Sequence, residues 1–169
     1  MRRNIWGMLI LLGGLLFSTS VQAQNENTYW EIGSSLYPLE IITTQNKTIQ
    51  INKQDLASKH HFFLVMFSPA CGHCEDMTKM ILRNASLFKK SKVVFMTDPK
   101  MKADIPNFIK ETGIDKYPQF IVGVDNNHAI NKLYSYGTLP QINVYNNKGI
   151  LVKTLKGDNP IEVFKSFLP

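Results

Sequence analysis

The sequence predicts an α/β domain: a central mixed β-sheet flanked by helices, with an N-terminal hairpin extension and a central insert. Three observations predict it. Residues 61–67 and 92–97 are apolar runs without alternation, the pattern of strands buried on both faces. Between them stands a stretch whose apolar residues recur every three or four positions, the mark of a helix with one buried stripe. The chain then closes with two strand-like segments around Asn146-Asn147-Lys148-Gly149, a hairpin signal, and a last helical segment. Strands that alternate with helices and end in a hairpin make a mixed sheet with helices packed on it.

Each element has its own warrant. Arg2 and Arg3, the 13-residue apolar run 5–17 and Val21-Gln22-Ala23 form the pattern of a signal peptide cleaved after Ala23. The run is short for a membrane span, which needs about 20 residues; an uncleaved anchor is the other reading. Residues 24–169 then form a single domain. Residues 39–43 and 48–51 flank Gln45-Asn46-Lys47 and read as a hairpin. Residues 54–59 read as a short helical turn, and 61–67 as the first buried strand. The spacing predicts a helix over 72–90, with Cys74, Met77, Ile81, Ala85 and Phe88 on its apolar stripe. Residues 92–97 are the second buried strand. Asp104 is placed to cap a helix that holds Pro106 in its first turn and ends near Gly113. Residues 117–124 read as extended and 126–134 as a short helix, together the insert. Residues 141–145 and 150–155 are the closing strands. Asp158-Asn159-Pro160 starts a final helix with Ile161, Phe164 and Leu168 on its buried face.

Composition narrows the function. Of 169 residues, 44% are hydrophobic and 19% charged, ordinary for a globular chain with a real core. Without Arg2 and Arg3 the chain has 17 basic and 13 acidic residues, a net charge near +4. Its lysines are scattered and no basic cluster is interleaved with aromatics, so a nucleic-acid role is excluded. The leader places the protein outside the cytosol: in the periplasm of a Gram-negative cell, otherwise secreted.

The only two cysteines are Cys71 and Cys74, in Cys71-Gly72-His73-Cys74. They follow the first buried strand and open the predicted helix. A bridge between them would close a tiny loop and constrain the unfolded chain little, so a structural staple is a poor explanation. The positive end of a helix dipole favours a thiolate at Cys71, and the thiolate is the nucleophile of disulfide exchange. The stripe turns Cys74 to the core and leaves Cys71 at the open end. An exposed attacking sulfur and a shielded resolving one follow. His73 beside Cys71 would stabilise its thiolate and make the disulfide more oxidising.

The stretches FFLVMFSPACGHC (62–74), YPQFIVGVDNN (117–127) and YGTLPQINVYNNKGILVKTLKG (136–157) resemble the thioredoxin superfamily, and most of all its exported TlpA-like, redoxin-type branch. The resemblance implies a thioredoxin-like fold and thiol-disulfide oxidoreductase activity without a cofactor. It implies Cys71 as attacking and Cys74 as resolving cysteine. It also implies Pro140 as a cis-proline facing them, and Leu139 as a substrate contact. Pro118, after Tyr117, competes for the cis-proline role but lacks a following hairpin and helix. The expected partners are proteins bearing thiols or disulfides and a membrane redox partner, with the protein itself a monomer.

The sequence departs from the family at three places. Ala70 stands where an aromatic residue is common. Val65 stands where many members carry a buried acid. Gly72-His73 matches protein disulfide isomerase rather than thioredoxin. A reading from another class is a thioredoxin-fold binding module, or a zinc or copper chaperone that draws on Cys71, Cys74, His73 and His60 or His61. The direction of electron flow is left open: the TlpA-like resemblance implies a reductant, the CGHC motif an oxidant or isomerase.

Overall fold

A computed structural model describes residues 28–135 and 137–169. The signal segment expected at 1–23 lies outside the described residues. Seven strands form one sheet in the order β2-β1-β5-β4-β3-β6-β7. They are β1 (Leu39–Thr43), β2 (Thr48–Ile51), β3 (His61–Met66), β4 (Lys92–Thr97), β5 (Phe120–Asp125), β6 (Gln141–Asn146) and β7 (Leu151–Lys156). β3, β4 and β5 run parallel, while β1–β5, β1–β2, β3–β6 and β6–β7 are antiparallel pairs. The helices are α1 (Gly72–Arg83), α2 (Ile105–Thr112), α3 (Ile130–Leu133) and α4 (Ile161–Lys165).

The two apolar runs become the two central strands because each presents side chains to both faces of the sheet. On one face Phe63, Val65 and Phe67 pack with Cys74, Met77 and Ile81 of α1, Phe108 of α2 and Phe164 of α4. On the other, Phe62, Leu64 and Met66 pack with the N-terminal segment and Leu133 of α3. Fully buried phenylalanines each contribute about 1.5–3 kcal/mol through lost apolar exposure. The ring of Phe67 lies 4.5 Å from that of Phe108, which fastens the chain just after β3 to α2.

The segment expected to be extended and to form the central insert is a strand of the sheet: β5 pairs with β4 on one side and β1 on the other. Gly123 makes this possible, because a Cβ there would stand 2.6 Å from Ile41 Cγ2 and closer still to the carbonyl oxygen of Ile42. Three expectations need correction. The helix expected over 72–90 ends at Arg83, and a 3₁₀ turn follows at Ala85–Phe88. Asn84 leaves helical geometry and its Nδ2 donates to the Met80 carbonyl (2.9 Å), which gives that late carbonyl a side-chain partner. Asp104 makes no side-chain cap, because a 3₁₀ turn at Pro99–Asp104 runs straight into α2; Asp98 caps that turn instead, accepting from the Lys100 N–H (2.8 Å). The final helix starts after Pro160 as expected but ends at Lys165, so Leu168 lies beyond it.

Candidate active site

The strand directions bring the site together. β3 and β7 are both antiparallel to β6. The C-terminal ends of β3 and β7 therefore lie at the same end of the sheet as the N-terminal end of β6. Cys71 follows β3, Pro140 precedes β6, and Asp158 follows β7. Met66 pairs with Gln141, so the next step along each strand sets Phe67 opposite Pro140.

After β3 the chain turns at residues 68–70, and the Cys71 N–H donates to the Ser68 carbonyl (3.2 Å). Cys71 is the N-cap of α1, with extended backbone (φ −106°, ψ 115°). Its carbonyl accepts from the N–H groups of Cys74 (3.0 Å) and Glu75 (3.1 Å). Its side chain makes no capping hydrogen bond, so the sulfur stays available at the positive end of the helix. Both cysteines are free thiols; Cys71 is half-buried and Cys74 is 1% exposed. Burial pushes the Cys74 thiol up to about 12; the Cys71 side chain adds to this, the Ser68 backbone opposes it, and the charges of Cys71 and Asp158 add less. Of the two neighbouring thiols, one is thus reachable and one held protonated.

His73 points outward. Its Nδ1–H donates to Asp158 Oδ2 at 2.7 Å, with both side chains more than three-fifths exposed. A histidine two residues into the motif is thereby tied to an acid 85 positions later. The sequence pattern assigned Asp158 to a helix start, so this pairing had no signal in it. Next to the pair lies a shallow groove of about 300 Å³ lined by Asp76, Met77, Met80, Asp158, Asn159 and Pro160. A cavity of about 820 Å³ among residues of the N-terminal segment and the 3₁₀ turn at Lys53–Leu56 has neither cysteine in its lining.

The Leu139–Pro140 peptide is cis, and among the described residues no other cis bond occurs, which removes Pro118 from that role. The Pro140 carbonyl accepts from the Gly157 N–H (2.9 Å), next to Asp158. Leu139 is half-buried against the same core cluster as Cys71 and Cys74. Val65 is buried, 1% exposed, so no carboxyl occupies that strand position. The buried Asp125 is on β5, where its oxygens accept from the Asn127 N–H (3.1 Å) and the Ile130 N–H (2.8 Å) at the start of α3.

His60 and His61, the more distant ligands of the metal reading, do not converge on the thiols. His60 and His61 stand at the start of β3, and the cysteines lie beyond its far end. A strand advances about 3.3 Å per residue, so the two groups lie at opposite ends of the sheet. Among the described residues no group of three or more His, Cys, Asp or Glu could hold a metal ion. Nor is His61 the surface residue its neighbour is: it is half-buried, with its ring 5.7 Å from that of Phe167.

Solved structures share this arrangement of strands and helices. The thioredoxin domain of a thiol-disulfide oxidoreductase from Bacteroides vulgatus superposes with a TM-score of 0.65 at 17% identity, over 82% of this chain and 99% of that one. The fold is thioredoxin-like. A thiol:disulfide interchange protein from Bacteroides sp. matches with a TM-score of 0.62 at 16% identity, over 82% of this chain and 91% of that one. StoA from Bacillus subtilis matches with a TM-score of 0.58 at 19% identity, over 78% and 96%. No protein-family model matches the chain, and no curated protein matches it in sequence.

Proposed function

We propose that this protein is an extracytoplasmic thiol-disulfide oxidoreductase that exchanges the Cys71–Cys74 dithiol with protein substrates. The observation that carries the reading is the inequality of two thiols at the start of α1: Cys71 half-buried at the helix end, Cys74 sealed and raised to about 12. The thioredoxin-like fold and the cis-Pro140 at the same end of the sheet support it.

The reaction needs no cofactor. The Cys71 thiolate attacks one sulfur of a substrate disulfide; an S–S bond forms to Cys71, the substrate S–S bond breaks, and the second substrate sulfur leaves as thiolate. Cys74 then gives up its proton to water and attacks Cys71 Sγ. The Cys71–Cys74 disulfide forms, and the remaining substrate thiol is released. The substrate gains two electrons and the protein loses two; a donor dithiol, supplied by a membrane partner, restores the starting state. The reverse sequence oxidises a substrate. Leu139 and Pro140 line the approach, and His73 tunes the Cys71 thiolate with Asp158 offsetting its charge. The protein acts as a monomer. Trapping tests the reading. Cys74→Ser accumulates a mixed disulfide through Cys71 with a protein disulfide, whereas Cys71→Ser accumulates none. Equal trapping by the two variants overturns the assignment.

A further inference from the structure

Gln141 follows the cis-proline directly, and its side chain is 0% exposed. A buried primary amide is costly unless its hydrogen-bonding capacity is met. Here all of it is. Oε1 accepts from the N–H of Ser135 (3.1 Å) and from its hydroxyl (3.0 Å). Nε2 donates to the Leu133 carbonyl (3.0 Å) and to Asn143 Oδ1 (2.9 Å). Asn143, also 0% exposed, donates from Nδ2 to the same Leu133 carbonyl (3.3 Å) and accepts from the Thr154 hydroxyl (3.3 Å).

Three of the four bonds made by Gln141 reach the chain before the cis-proline, at Leu133 and Ser135. Leu133 ends α3, and Ser135 opens the loop that returns at Pro140. Fixing Ser135 to Gln141 closes that loop at its base. The Tyr134 hydroxyl braces the interior, donating to the Gly137 carbonyl (2.6 Å). Gln141 and Asn143 lie on the sheet face opposite α1, since the intervening Ile142 packs into the core that holds Cys74. The amide therefore holds the loop from behind while Leu139 and Pro140 meet the thiol end.

We propose that Gln141 is a positioning residue for substrate: its buried amide fixes the loop that presents Leu139 and Pro140 to an extended polypeptide. This rests on the redox reading above. An apolar side chain of the same volume would fill the space without four directed bonds. A fully satisfied polar network selects one arrangement of the groups it joins. A polypeptide that lies along residues 139–140 depends on that arrangement; a small disulfide that meets only the Cys71 sulfur does not.

The test compares two probes on the full chain: a peptide disulfide with extended flanks, and 2-hydroxyethyl disulfide. Gln141→Met lowers the rate constant for the peptide by about tenfold to a hundredfold, the scale of an ångström-sized misplacement. The rate with 2-hydroxyethyl disulfide and the equilibrium constant of the Cys71–Cys74 pair with glutathione stay within about twofold, which a merely structural loss would not allow. Ser135→Ala, which removes one bond at a half-buried site, moves the peptide rate in the same direction by less, and it carries the test if Gln141→Met does not fold. Peptide and small-disulfide rates that fall together, or a peptide rate that does not change, overturn the inference. Wild-type protein inert toward both probes overturns the redox reading, and this inference with it.

Discussion

The two thiols should differ in reactivity by a factor that the structure sets. An ordinary cysteine titrates near 9.0, and Cys74 is raised to about 12. At about pH 8 an ordinary thiol is ionised to roughly one part in ten, Cys74 to roughly one in ten thousand. Ionisation alone makes Cys74 about a thousandfold slower than an unperturbed thiol toward iodoacetamide, before the steric effect of its burial. Reduced native protein should therefore take up one carbamidomethyl group, at Cys71, and the second only on unfolding in guanidinium; peptide mass spectrometry reads both. The causes can be separated. Burial is the largest, so Cys71→Ala, which removes a hydrogen bond and a charge, should speed alkylation of Cys74 yet leave it far below the unfolded rate. Asp158→Asn removes the more distant charge and should give a smaller acceleration. It should change stability by less than about 1 kcal/mol, since the His73 pair it breaks is exposed. Native Cys71 and Cys74 alkylating at equal rates would refute the reasoning.

Two further consequences concern the scaffold. His61 is held below its ordinary 6.5 by burial first and by the neighbouring His60 second, with a backbone hydrogen bond at Phe167 opposing them, and its buried Nδ1 has no partner. The fold thus favours the neutral ring: its contribution is complete above the unfolded value and is lost as pH falls through the lower folded one. Urea midpoints should drop on acidification below about pH 6.5, and His61→Phe should flatten that dependence; an equal slope in the variant would remove His61 from the effect. Gly123→Ala sets a methyl group against the backbone of β1 and should cost about 3 kcal/mol or more, measured by chemical denaturation.

What the sequence made legible was what neighbours along the chain determine. β3 and β4 announced themselves because both of their faces are buried. Cys74 announced its burial because it shares a helical stripe with Met77 and Ile81. The break at Asn84 was hidden because that stripe continues through Ala85 and Phe88 into the following 3₁₀ turn, so the apolar pattern alone cannot show where the α-helical bonding stops. The extended character of β5 is legible, but its place between β4 and β1 depends on pairings that no local pattern encodes. The partners of the site were hidden for the same reason. Asp158 has a sufficient local explanation as a helix start, and Gln141 is a lone polar residue at the head of an apolar strand. Both become interpretable once the strand order is known. Two strands antiparallel to a common neighbour must end together, so the residue after β7 has to stand near the residue after β3, and the residue that opens β6 has to stand between them. The cysteines could be found from their spacing; the groups that condition them are consequences of where β6 sits.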